Sequence, residues 1–152
     1  MYDTLRPPFI YVKANVLCYT ASMPKPKNRA ALHRVFRALA DPTRLRLLNL
    51  IAGREVCVCY FVEILRLSQP KVSRHLAYLR GAGLVASRRN GKWMHYRLEI
   101  PKNGAAAKIL RETLNHLKDE PEMQRDVARL SSACCSPQKY QIVPGAPRPE
   151  TL

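Results

Sequence analysis

Five cysteines carry the most selective chemistry in this sequence of 152 residues, and four of them stand in two tight pairs. One residue separates Cys57 from Cys59, whereas Cys134 and Cys135 are adjacent. The fifth, Cys18, stands alone near the start. An odd number of cysteines in close pairs does not suit a framework of structural disulfides, and thiolates are ligands that prefer soft ions. The pairs therefore predict metal binding or thiol redox chemistry.

A strong excess of positive charge predicts a polyanionic partner. Lys and Arg number 26 against 11 Asp and Glu, which gives a formal net charge of +15. Between residues 64 and 98 no acidic residue occurs, and eight basic residues do: Arg66, Lys71, Arg74, Arg80, Arg88, Arg89, Lys92 and Arg97. Charge of this density attracts nucleic acid electrostatically.

The elements that position this charge begin with four helices. Apolar spacing and helix-start residues predict helices over 29–40, from Asp41-Pro42 to Ala52, over 57–66, and from Gln69 to Gly81. The third and fourth helices are short and about three residues apart, as in a helix-turn-helix whose second helix enters the major groove.

A change of period to two then predicts a hairpin. The runs 84–89 and 92–100 flank Asn90-Gly91, which favours a type I′ turn. A last helix is predicted over 105–118, and Pro121 should break or kink its continuation. The predicted fold is mainly α with a small β-hairpin: a winged helix-turn-helix of about five helices and a two-stranded wing. Its parts are a loose tail (1–28), the winged-helix and dimerisation domain (29–118), and a C-terminal extension and tail (119–152).

Helical geometry indicates which side chains would contact DNA. On the fourth helix, Val72, Leu76 and Leu79 point toward the hydrophobic core of the protein. The polar residues of this helix therefore lie at or near its outer face. With the tip of the wing, the predicted DNA-contacting residues are Gln69, Lys71, Ser73, Arg74, His75, Arg88, Arg89 and Lys92.

Four segments together resemble the ArsR/SmtB family of metal-responsive repressors. They are FRALADPTRLRLL (36–48), EVCVC (55–59), LSQPKVSRHL (67–76) and LRGAGLV (79–85), and the match covers roughly residues 30–118. The resemblance implies a homodimer that sits on double-stranded operator DNA and leaves when an inducer binds. The expected core and dimer contacts are Leu32, Phe36, Leu110, Leu114 and Leu117.

The resemblance also implies a sensor site, because Cys57 and Cys59 look like the thiolate motif of arsenite and cadmium sensors of this family. On a regular helix these residues lie about 200° apart, so the helix start would have to unwind before both sulfurs met one ion. The family's third cysteine would stand at Val62, and trivalent arsenic prefers three sulfurs. Cys134 or Cys135 is therefore expected to complete the site, with As(III) or Sb(III) as inducer and no permanent cofactor.

Three alternatives stay open. Cys18 with Cys57 and Cys59 would resemble the cadmium and lead sensors of the family. Two of the cysteines could instead oxidise in a thiol-redox repressor, or they could be idle in an architectural DNA-binding protein.

No catalytic motif is present, so no enzyme is predicted. The sequence has no apolar run long enough to span a membrane, and a cytoplasmic location is expected.

Overall fold

The computed structural model describes residues 27–135 and 150–151, and within them the chain forms six helices and four short strands. The helices are α1 (Lys27–Leu39), α2 (Pro42–Leu50), α3 (Val58–Leu65), α4 (Gln69–Gly81), α5 (Gly104–Leu117) and α6 (Pro121–Cys135). The strands are β1 (Arg54–Cys57), β2 (Val85–Asn90), β3 (Trp93–Leu98) and β4 (Glu150–Thr151). This order confirms the predicted winged helix-turn-helix.

The helix-turn-helix follows from local capping chemistry. The Asp41 carboxylate accepts a hydrogen bond of 2.9 Å from the backbone N–H of Arg44, and Pro42 starts α2 without an amide hydrogen to satisfy. α3 ends at Leu65, and the next residue, Arg66, has a left-handed φ of 53° that turns the chain toward α4. α4 then begins one residue after Ser68.

The wing sheet has two more strands than the sequence predicted, β1 and β4. The strands run antiparallel in the order β2-β3-β1-β4, and β1 pairs with β3 so that Cys57 lies opposite His95. β1 has only four residues, of which the last three are buried. A short buried run of this kind shows no alternation of polar and apolar residues, so periodicity does not reveal it.

The turn of the wing is also different from the prediction. Asn90 pairs with Trp93, so the two loop residues are Gly91 and Lys92. Among the described residues of this loop only Gly91 has a positive φ, at 57°. A type I′ turn needs positive φ at both loop positions, whereas type II′ needs it only at the first. The predicted type I′ turn is therefore wrong, and the loop fits type II′.

The core extends beyond the winged helix into α6. Met123 and Leu130 are buried with the apolar residues of α2, α3 and α5. Residues 131–135, predicted as tail, continue α6 to Cys135. In the part of the chain that the structure describes, no helix is both long and apolar enough to cross a membrane.

Candidate nucleic-acid interface and thiol site

The helix-turn-helix and the wing present their positive charge to solvent. All eight basic residues between positions 64 and 98 are exposed. On α4, Val72, Leu76 and Leu79 are fully buried, as the sequence predicted. The opposite side of this helix is thereby left for contact with a ligand.

The eight predicted DNA-contacting residues are not equally accessible. Six are exposed: Gln69, Lys71, Arg74, Arg88, Arg89 and Lys92. Ser73 is partly buried. The side chain of His75 is 18 % exposed, and its Nδ1 lies 3.5 Å from the Asp41 carboxylate. His75 therefore faces the start of α2 rather than the outer side of α4, which corrects the orientation expected from helical geometry alone.

The three basic side chains at the tip of the wing have different contact partners. Arg88 contacts the carboxylate of Glu55 through Nε at 3.0 Å and Nη2 at 2.6 Å. Arg89 donates from Nε to the carbonyl of Gly91, and the Lys92 ammonium lies 5.2 Å from the centre of the Trp93 ring. The two neighbouring arginines thus have different anchors, one on β1 and one within the loop.

The two thiols of Cys57 and Cys59 lie side by side. Their Sγ atoms are 3.0 Å apart, with Cys57 fully buried and Cys59 partly exposed. Cys57 is the last residue of β1 and has extended backbone angles, so it does not share the regular helix that starts at Val58. The expected separation of the sulfurs around a helix is therefore wrong, and no unwinding is needed to bring them together.

The environment of the pair makes its two thiols unequal. The hydrogen bond from Cys59, helped by backbone N–H groups of Cys59, Met94 and Val58, lowers the pKa of Cys57 to about 7 even though burial opposes ionisation. The same hydrogen bond and burial raise the pKa of Cys59. Cys57 is thus the one that carries thiolate character, which a soft ion requires of its ligand.

Among the residues whose side chains the structure describes, there is no cluster of three or more His, Cys, Asp or Glu residues suited to a metal ion. Cys134 and Cys135 form the last turn of α6. The preceding Ala133 lines a cleft with Ile64 and Arg66, at the end of α3 opposite to Cys59. Cys18 lies outside the described residues.

Sequence reasoning missed several contacts that position the DNA-facing elements. Arg44 donates to the carbonyls of Arg37 and Ala38 at the end of α1, and its guanidinium lies 4.4 Å from the centre of the Tyr78 ring on α4. Glu55 is another such residue. The sequence offered one indication of this role. Glu55 stands two residues before Cys57, and in a strand this spacing puts both side chains on one face.

Comparison with known proteins agrees with this geometry. Residues 41–87 match the sequence model of a protein family that is described as bacterial regulatory protein, arsR family. The chain is 42% identical over 104 residues to the arsenical resistance operon repressor of Escherichia coli, covering 68% of this chain and 87% of that protein. It is 55% identical over 71 residues to the arsenic resistance transcriptional regulator ArsR1 of Pseudomonas putida, covering 45% of this chain and only 56% of that relative.

A solved structure extends the likeness to the fold. HlyU from Vibrio cholerae superposes with a TM-score of 0.52 and 31% sequence identity, covering 62% of this chain and 98% of HlyU. The family match over residues 41–87 contains both helices of the helix-turn-helix, α3 and α4. These are features of DNA-binding transcription regulators and not of enzymes. The chain belongs to the arsR family of bacterial regulatory proteins, the winged helix-turn-helix repressors of transcription.

Proposed function

We propose that this repressor binds its operator as a homodimer and is released when As(III) or Sb(III) binds Cys57 and Cys59 together with Cys134 or Cys135. Release derepresses genes for arsenical resistance. The observation that carries the proposal is the pair of sulfur atoms 3.0 Å apart at the entrance to α3. The E. coli and P. putida relatives are both named for arsenic or arsenical resistance, which supports the choice of ion.

The thiol pair fits a soft ion. Two thiolates that bind one ion at about 2.3 Å, in a trigonal-pyramidal or a tetrahedral arrangement, lie about 3.3 to 3.8 Å apart. The Sγ atoms therefore need only a small outward movement to accept an ion between them. Sulfur donors select soft thiophilic ions over Mg²⁺ or Ca²⁺, which prefer oxygen. The lowered pKa of Cys57 favours the ionised form that binds.

We infer that the third sulfur comes from the end of α6, either after a rearrangement or from a second subunit. Cys134 and Cys135 follow Ala133, which lies beside Ile64 and Arg66. α3 has eight residues, so its two ends are about 12 Å apart. A bond from Cys134 or Cys135 to an ion held at Cys57 would move the last turn of α6 along α3, or would come from the partner in a dimer.

The proposed dimer uses α1. Phe36 is 52% exposed on this helix, which is unusual for a large aromatic side chain, and Leu32 beside it is partly buried. By contrast, the three leucines of α5 named above are buried inside the chain. Phe36 is therefore the residue of that predicted set with the most apolar surface left to bury against a partner.

Arsenite titration into a complex of the protein with fluorescent operator DNA tests the release. We expect the anisotropy to fall to that of free DNA, and we expect Cys57→Ser and Cys59→Ser to bind DNA but to stay bound at saturating arsenite. X-ray absorption at the arsenic edge should show three sulfur neighbours, and one fewer in Cys134→Ser or Cys135→Ser. Cys18→Ser is the control and should behave as wild type. DNA that stays bound to wild type overturns the proposal.

The sulfur pair also favours a second candidate, a thiol-redox repressor. The two thiols would lose two electrons and two protons to hydrogen peroxide, forming a disulfide and two waters. The short distance between Cys57 and Cys59 is the observation that favours this reaction. Release of DNA by peroxide but not by arsenite, with recovery in reductant, would select this candidate.

A further inference from the structure

One face of the wing sheet carries a row of polar side chains that begins at the thiol site. Cys57 of β1 lies opposite His95 of β3, and His95 lies opposite Arg88 of β2. Residues directly opposite each other in antiparallel strands present their side chains on the same face. Glu55, two residues before Cys57, belongs to this face as well. The row thus runs from the thiol site to the wing.

Glu55 contacts two other members of this row directly, Arg88 and His95. Its Oε1 accepts the hydrogen bonds from Nε and Nη2 of Arg88 and lies 3.5 Å from Nδ1 of His95. The Glu55 side chain is only 8% exposed. A carboxylate removed from water in this way must be paired, so the contact with Arg88 is held more firmly than an ordinary pair at the surface.

Arg88 is suited to contact Glu55 and DNA at the same time. Nε and Nη2 of its guanidinium both donate to Glu55, which holds the plane of this group in one orientation. The side chain of Arg88 is 48% exposed, so part of its charged group lies at the surface of the wing. Glu55 therefore fixes the direction in which this arginine meets a phosphate.

The geometry points to Glu55 as a positioning residue that holds Arg88 for the DNA backbone and joins the strand of Cys57 to the wing. This inference rests on the proposed function, because it supplies a route from the ion to the DNA. Displacement of the end of β1 by an ion at Cys57 would carry Glu55 with it and would withdraw the support of Arg88.

The direction in which Glu55→Gln changes the affinity for DNA distinguishes a positioning role from a simple effect of charge. Glu55 is negative, so electrostatics alone predicts that Glu55→Gln binds a polyanion more tightly than wild type. Positioning predicts the opposite. We expect Glu55→Gln to bind operator DNA about five-fold more weakly in the absence of any ion, because a charge-assisted hydrogen bond becomes a weaker neutral one. Equal or tighter binding would overturn the inference.

A double-mutant cycle in the absence of ions adds a second measurement. Arg88→Gln should weaken DNA binding about ten-fold, and adding Glu55→Gln to it should cause no further loss, because the two residues act through one contact. Additive losses would show that Glu55 acts elsewhere. Arg89→Gln is the matched control: its neighbouring guanidinium is anchored on Gly91, so Glu55→Gln should retain its full effect in that background.

A third variant keeps the Glu55 carboxylate, so its result does not depend on whether Glu55→Gln folds. Arg88→Lys keeps the charge of a half-exposed position but lacks the planar donors that reach Glu55 from two nitrogens. We expect its DNA binding to weaken about as much as that of Glu55→Gln, with an unchanged circular dichroism spectrum. Wild-type affinity in Arg88→Lys would contradict the positioning role even if Glu55→Gln failed to fold.

The link to the ion is measured by the ratio of the DNA Kd values with and without saturating arsenite. Uniform electrostatic effects cancel in this ratio. We expect it to fall at least three-fold in Glu55→Gln, while the arsenite affinity of DNA-free protein stays at the wild-type value. An unchanged ratio overturns the link to the ion. If arsenite does not release wild-type protein, the proposed function is wrong, whereas the ion-free measurements still decide the role of Glu55.

Discussion

Cys57 and Cys59 acquire their properties from where the backbone changes from strand to helix. A regular helix turns residues i and i+2 to different sides, and a regular strand keeps them on one face but about 6.6 Å apart, so it is the change from strand to helix that lets these two side chains meet. The resulting hydrogen bond lowers the pKa of one thiol and raises that of the other. Two identical residues thereby take unequal roles, a thiolate acceptor and a protonated donor.

Arg66 shows a different effect of backbone conformation, because it is a non-glycine residue at φ 53° in the turn of the helix-turn-helix. This conformation costs an L-residue energy that glycine does not pay. We expect Arg66→Gly to raise the free energy of unfolding by about 1 kcal/mol, measured by urea denaturation. Arg66→Ala removes the same charge but keeps the Cβ atom, and it should give no such gain. Equal stabilisation by both variants would point to charge instead.

At the scale of elements, α6 is fastened to α2 by a buried ion pair. Arg46 contacts the carboxylate of Asp126 through Nε at 2.6 Å and Nη2 at 2.9 Å, and Asp126 is 1% exposed. The side-chain hydrogen bond with Asp126 raises the pKa of Arg46. Asn49 adds a hydrogen bond to the carbonyl of Met123. α6, which ends in Cys134 and Cys135, is thus fixed at its start and middle.

Removing one partner of this pair should be costly. Arg46→Leu leaves the Asp126 carboxylate buried, with the guanidinium of Arg129 3.8 Å away. We expect the free energy of unfolding to fall by about 3 kcal/mol in thermal or urea denaturation. The double variant Arg46→Leu with Asp126→Leu should recover most of the loss, because no charge is left buried. A loss below about 1 kcal/mol in the single variant would contradict the importance of the pair.

The sequence predicted the elements that local patterns define and missed those that depend on distant contacts. Helices α1 to α5 were found because their apolar residues recur at helical spacing and residues typical of helix starts and stops mark most of their ends. β1 was missed because it forms by pairing with β3 and β4, which are distant from it in the sequence. The contacts of Glu55 with Arg88, and of His75 with Asp41, were missed for the same reason: the partners are 33 or 34 residues apart and no periodicity connects them.

At the scale of the whole molecule, the net charge of +15 is divided unevenly, with eight basic and no acidic residues between positions 64 and 98. A charged surface of this kind binds DNA by displacing the cations condensed on its phosphates. Each phosphate that the protein neutralises contributes about 0.9 to the slope of log K against log salt. The location of a basic residue, and not the total charge of the chain, should therefore decide its contribution.

Two substitutions of equal charge test this expectation. Arg89→Gln removes an exposed cation from the wing, and Arg111→Gln removes one from α5, outside the helix-turn-helix and the wing. We expect the salt slope for operator binding to decrease by about 0.9 in Arg89→Gln and to stay unchanged in Arg111→Gln. Fluorescence anisotropy at a series of KCl concentrations measures both slopes. Equal decreases in the two variants would mean that net charge alone determines the affinity, and the basic wing would then have no special part in binding.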